Sequence, residues 1–87
     1  MNTIIIANLK NFTLSHEIVV MDEAGNVHYV LKSSMKDMAE NIVEQSFTHG
    51  GAKVKLMGNK KYAAKLCRDV RELSLAKYDL SIDVEII

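Results

Sequence analysis

Eighty-seven residues carry 11 basic and 11 acidic side chains, a formal net charge of zero that is unlike a typical nucleic-acid binder. That length makes one domain, 1–87, which can bury only about 60–65% of the surface its unfolded chain exposes. The apolar fraction of 48% argues against disorder, and three Tyr and two Phe with no Trp leave the core to Ile, Val, Leu and Met, with few rings for stacking bases or sugars.

Thr3 to Asn8 is a continuous apolar run, the pattern of a strand covered on both faces. Lys10 to Ser15 reads as a loop. Glu17 to Met21 is β-branched and apolar, which predicts a second strand. Asp22-Glu23-Ala24-Gly25-Asn26 is turn chemistry, with glycine free to take the left-handed position. Val27 to Lys32 returns as a third strand, completing a hairpin. Ser34 can cap the next helix, with Asp37 three residues on as a capping-box variant. Met35, Met38, Ala39, Ile42 and Val43 then form one apolar stripe at helical spacing. His49-Gly50-Gly51 ends that helix, supplying glycine for a left-handed cap.

Lys53 to Leu56 alternates polar and apolar, giving a strand with one wet face. Gly58-Asn59 turns the chain, and Asn59 can cap a second helix whose buried stripe is Ala63, Leu66, Cys67, Val70 and Leu73. Leu80, Ile82, Val84 and Ile86 alternate with Ser81, Asp83 and Glu85 as a final half-exposed strand. Neither a repeat, a linker nor a proline interrupts this order.

The result is βββαβαβ. Right-handed crossovers that move outward in one direction place both helices on the same face. The expected fold is therefore an α+β two-layer form of the α/β class, a mixed sheet in order 3-2-1-4-5 with strand two reversed. This element order resembles ribonuclease-H-like domains without their last helix. The resemblance is one of topology. Lys53 and Lys55 are expected to face Asp83 and Glu85 across adjacent strands, each pair contributing about 0.2–1 kcal/mol. The acidic outer face of the first helix (Asp37, Glu40, Glu44) should lie beside the basic outer face of the second (Lys61, Lys65, Arg68).

Cys67 is the single cysteine, so no internal disulfide can form, which fits a reducing compartment. Met1-Asn2-Thr3 lacks a basic leader, and Ile4 to Ala7 is too short for a signal or a membrane span. Asn11-Phe12-Thr13 matches a glycosylation sequon and is read as chance. The expected location is the cytoplasm, of a bacterium or a phage-infected cell.

Ribonuclease-H-like topology invites a test for nuclease chemistry, which needs several converging carboxylates to hold two divalent metals. The first strand offers Asn8 and the end of the fourth Gly58-Asn59, while Asp22 lies in the hairpin turn and Glu40 and Glu44 on the solvent side of their helix. A working nuclease is not expected, leaving at most a degenerate nuclease-like domain. His16, His28 and His49 have no metal-ligand spacing and read as surface or capping residues. Cys67 reads as a buried structural thiol. Neither a catalytic residue, a metal site nor a cofactor is expected.

Two surfaces remain. Either alternating set on strands one to three holds apolar side chains, and helices cover one face, so the other should expose an apolar patch unless Phe12 and Leu14 fold over it. Ile5, Val19, Tyr29 and Leu31 are the residues expected at a partner contact there. The first reading is a non-catalytic protein-interaction module, acting as a homodimer or as an accessory factor on a larger protein. The alternative is a phosphate or nucleic-acid module using Lys60, Lys61, Lys65, Arg68 and Arg71. The stretch 52–77 has a net charge of +6, and Lys60 and Lys61 sit in a helix first turn, where an anion can dock on free amides. Its competitor is a solvated face neutralised by Arg68–Glu72 and Lys65–Asp69 pairs.

Overall fold

The structure, a computed structural model, describes residues 2–11 and 14–87. Its elements run β1 (Thr3–Leu9), β2 (His16–Asp22), β3 (Val27–Ser33), α1 (Met38–Thr48), β4 (Ala52–Gly58), α2 (Lys60–Tyr78) and β5 (Asp83–Ile86). The sheet has the order β3-β2-β1-β4-β5. β2 is antiparallel to β1 and β3, whereas β4 is parallel to β1 and β5. This is the expected two-layer architecture.

Period-two alternation along the strands sends one set of side chains to the helices. Ile5, Ala7 and Leu9 of β1, Ile18 and Val20 of β2, Val54 and Leu56 of β4 and Val84 of β5 all enter one core cluster. α1 contributes Met38, Ile42 and Val43, and α2 contributes Ala63, Leu66, Cys67 and Val70. Each fully buried Ile, Leu, Val or Met gains about 1.5–3 kcal/mol over its exposed state. Both helices thus cover the same face of the sheet. Leu73 is only partly buried; Ser74 occupies the core-facing position and donates to the Leu80 carbonyl at 2.7 Å.

Local chemistry fixes the joints. In the hairpin, Asp22 accepts from the Asn26 amide at 2.9 Å and Gly25 takes φ 91°. The strand register then slips between Val20 and Met21, so Val20 faces Tyr29 and Met21 faces Val27, with His28 as the bulged residue. α1 starts later than the sequence suggests. Ser34 closes a turn, accepting from the Asp37 amide at 3.3 Å, and the helix begins at Met38 with Asp37 in the cap position. α2 starts as expected, with Asn59 Oδ1 accepting from the Tyr62 amide at 3.0 Å. It ends at Asp79, a left-handed cap at φ 51°. That cap and Ser74 hold residues 79–82 as a connector, so β5 is shorter than the alternation from Leu80 implies.

Gly58 is the tightest point. It has φ 96°, and a methyl there would collide with the Leu9 carbonyl and stand 2.8 Å from Asn8 Oδ1. The close approach lets the Asn59 amide donate to that same carbonyl at 2.7 Å, tying the start of α2 to the end of β1.

Candidate functional site

The strand registers lay out the uncovered face row by row. One row reads Val30, Val19, Ile6, Lys55, Glu85; the next reads Val27, Met21, Ile4, Lys53, Asp83. The outcome is an apolar block three strands wide and two side chains deep. A basic strip borders it, and an acidic strip follows on β5. Lys53 lies beside Asp83 and Lys55 beside Glu85, the cross-strand arrangement expected from sequence. At one end of the block Lys32, Glu17 and Asn8 form a polar row. Val27 and Val30 are about half exposed, while Ile4, Ile6, Val19 and Met21 are partly covered by their neighbours.

Of the four residues expected at a partner contact, this register places only Val19 on the open face. Ile5 is fully buried beneath the helices. Tyr29 and Leu31 pair with Val20 and Ile18 and share their side of the sheet. The physical reason is parity: Ile5 is opposite Val20, so Ile5 and Val19 point to opposite faces. Ile4, Ile6, Met21 and Val30 take the places foreseen for Ile5, Tyr29 and Leu31. Leu14 is 96% exposed and does not cover the patch. Phe12, its suggested companion, lies outside the described residues.

Tyr29 instead reaches α1. Its hydroxyl donates to Gln45 and meets His49 Nε2 at 2.8 Å, and the Tyr29 and His49 rings stack with centroids 6.0 Å apart. This links the free edge of the sheet to the end of α1. His49 does stand at the helix C-terminus. His16 is not a surface residue: it is 4% exposed and its Nε2 donates to the Lys10 carbonyl at 3.1 Å.

The helices meet through opposite charges at Glu44, one of the expected acids, but its partner on α2 is Lys77 rather than Lys61, Lys65 or Arg68. Glu44, partly exposed, does not face solvent alone; it pairs with Lys77 of α2 and accepts from the Tyr78 hydroxyl at 2.6 Å. The Lys77 ammonium and then the Tyr78 hydroxyl hold the Glu44 carboxyl below its ordinary range. Reciprocally, the Glu44 carboxylate raises both Lys77 and Tyr78. Phe47 stacks on Tyr78 with centroids 3.9 Å apart and rings 7° from parallel. A charge pattern on α1 and an aromatic on each helix were visible in sequence; their convergence needed the crossing of the two helices. At the hairpin, the Asn26 backbone and side-chain donors likewise hold the Asp22 carboxyl low.

On α2, Lys60, Lys61, Lys65 and Arg68 are exposed. Lys65 lies 3.9 Å from Asp69, the expected i,i+4 pair. Arg71 is also exposed, but its guanidinium donates to the Val84 carbonyl at 3.1 Å and so binds β5 to α2. The Asn59 side chain already occupies the Tyr62 amide at the helix start. The structure thus keeps four of the five cations on one exposed segment and ties the fifth to the sheet edge. Cys67 is buried. Among the described residues, no three His, Cys, Asp or Glu side chains cluster to hold a metal ion. Among the described residues, no helix is long and apolar enough to cross a membrane.

These features belong to a small α+β two-layer domain with a ribonuclease-H-like order of strands. No protein-family model matches the chain, and no curated protein matches it. Among solved structures, the chain is similar to part of the Aquifex aeolicus PPX-GPPA enzyme, with 6% sequence identity and a TM-score of 0.48. That likeness covers 98% of this chain and 36% of the enzyme, so the chain spans little more than a third of that protein's length.

Proposed function

We propose that the protein is a small non-catalytic interaction module, working as an accessory factor bound to a larger protein or as a homodimer, with the open face of its sheet as the contact. The observation that carries this reading is the block of six apolar side chains at Ile4, Ile6, Val19, Met21, Val27 and Val30 on the face without helices. An apolar block rimmed by charges has the layout of a contact with a dry centre and a wet border.

Area favours the larger partner. Three strands at about 4.8 Å spacing and two side-chain rows span roughly 200 Å². A standard interface takes about 800 Å² from each side. Flat self-packing of the block therefore falls short, whereas a larger protein can wrap the block, its charged rim and the free β3 edge together.

A photo-crosslinking residue at Val19 tests this in cells that contain the natural partner. One discrete adduct is expected, lost on Ile6→Lys while the fold, checked by circular dichroism, is kept. Moving the crosslinker to Glu40, exposed on α1, should not give it. Failure to form any adduct at Val19, or equal yield from both positions, refutes the reading. A salt-resistant dimer in light scattering, lost on Val19→Lys, selects the homodimer form.

The exposure of Lys60, Lys61, Lys65 and Arg68 on one segment supports a second reading, a phosphate or nucleic-acid contact. Retention on heparin that falls steeply with salt is its signature, because phosphate contacts release counterions.

A further inference from the structure

The outward side of α2 carries charges arranged against the helix. Three- and four-residue steps place Lys61, Lys65, Arg68, Glu72, Ala76 and Asp79 on one line, and all six are exposed. The first half of that line is basic and the second half acidic. A helix favours the reverse, since its N-terminus is the positive end of the dipole and its C-terminus the negative end. The first turn holds no acid, and Asp79 itself caps the C-terminus. Lys65 answers Asp69 within the chain, but among the described residues neither Arg68 nor Glu72 makes an ion pair, although they stand one turn apart.

A line of side chains that is positive in one half and negative in the other complements itself when reversed, and Arg71 and Lys77 lie off this line, held by Val84 and Glu44. An antiparallel copy whose two-fold axis passes at the level of Val70 sets Arg68 against Glu72 of the second copy, and Lys61 against Asp79 of the second copy. Symmetry repeats both pairs, as an isologous contact requires. Ala64 meets Ala76 of the second copy, and small side chains let the backbones approach. The two dipoles oppose each other, so the local misfit of each chain becomes an attraction between chains.

We infer that α2 is a self-association surface, and that its occupant is the α2 of a second copy of this chain. The contact is weak. Nineteen helical residues extend only about 28 Å, so the buried strip stays below the standard interface of about 800 Å² per partner. Exposed charge pairs supply the specificity, and salt screens them. This surface is separate from the open sheet face, and either can fail without the other.

Sedimentation equilibrium of the full chain tests the inference. Dimers are expected at low ionic strength, with the dissociation constant rising roughly tenfold or more between ~0.02 M and ~0.5 M salt. Glu72→Lys alone and Arg68→Glu alone should each abolish the dimer, because each sets like charges together across the axis. A mixture of those two variants should restore it as a heterodimer, since every facing pair is then opposite in sign. Unchanged circular dichroism separates lost association from lost folding, and Val19→Lys should leave this dimer intact. A wild-type chain that stays monomeric at low salt overturns the inference. So does a charge-reversed variant that dimerises like wild type, or a mixture that fails to associate. Retention on heparin by a chain that is monomeric at low salt assigns the face to a phosphate backbone instead.

Discussion

The two faces of the sheet draw on the same residue types and do different work. On the helix side, Ile5, Ile18, Val20 and Val54 are at most 1% exposed and belong to the core cluster shared with α1 and α2. On the other side, Ile4, Ile6, Val19 and Val30 project from the same strands, where among the described residues no helix covers them. Residue chemistry alone therefore does not tell a core position from a surface one here; strand parity does. The comparison is most sharply broken by one pair of substitutions. Ile5→Ala leaves a cavity under α1 and should cost about 2–5 kcal/mol, whereas Ile6→Ala, one residue along, leaves no closed cavity and should cost about 1 kcal/mol or less. Urea unfolding of both variants reads the difference. Equal losses would mean that the open face contributes as much to stability as the core, and would remove the basis for calling it a contact surface.

The element order, the sheet order and the shared side of the helices were legible because each strand and helix carries its own rhythm. Strands four and five alternate cleanly, with Lys53 and Lys55 marking the wet side. Strand one does not alternate: Thr3 to Ala7 is apolar at nearly every position, so nothing in it marks which side meets the helices. The answer comes from its partner β2, whose polar Glu17 sits on the open side, and from the bulge at His28, which shifts the parity of β3 before Tyr29. A bulge leaves no composition signal in Val27-His28-Tyr29. Hence Tyr29 and Leu31 were misplaced while Val19 was not. Likewise, the acidic α1 face was visible, but the meeting of Glu44 with Lys77 and Tyr78 depends on residues 33 and 34 positions away.

The hairpin turn and the β4–α2 joint offer a smaller contrast of the same kind. Gly25 and Gly58 share a left-handed backbone, at φ 91° and 96°. Alanine at Gly25 meets nothing within 4 Å, and alanine at Gly58 meets the Leu9 carbonyl. Gly25→Ala should thus cost only the conformational strain, about 1–2 kcal/mol. Gly58→Ala should cost more, since the collision with backbone forces β1 and α2 apart and weakens the Asn59–Leu9 hydrogen bond. Thermal midpoints order the two variants; a Gly58→Ala chain as stable as Gly25→Ala would show that the joint between β1 and α2 yields freely.

The smallest effect concerns the charged side of the helix layer, where Glu44, Lys77 and Tyr78 meet at partial exposure. The side chains of Lys77 and Glu44 are 42% and 36% exposed, so solvent screens the pair and its contribution is modest. Its pH dependence still has a definite sign. The folded carboxyl of Glu44 titrates below its unfolded value, mainly because Lys77 and then Tyr78 donate to it. Its contribution is complete above the unfolded value and is lost as pH falls through the folded one. Lys77 and Tyr78 are shifted upward by Glu44. Their contributions are complete below their unfolded values and are lost as pH rises through the folded ones. Wild-type stability should therefore decline on both sides, below the ordinary carboxylate range and above the ordinary range of lysine and tyrosine. Glu44→Gln removes the common partner. It should lower the neutral-pH midpoint slightly and flatten both limbs at once, whereas Asp22→Asn, which acts mainly through the Asn26 donors, should flatten only the acid limb. A Glu44→Gln profile parallel to wild type at both ends would show that the bridge between the helices contributes nothing, and that apolar packing alone fixes how α1 and α2 meet.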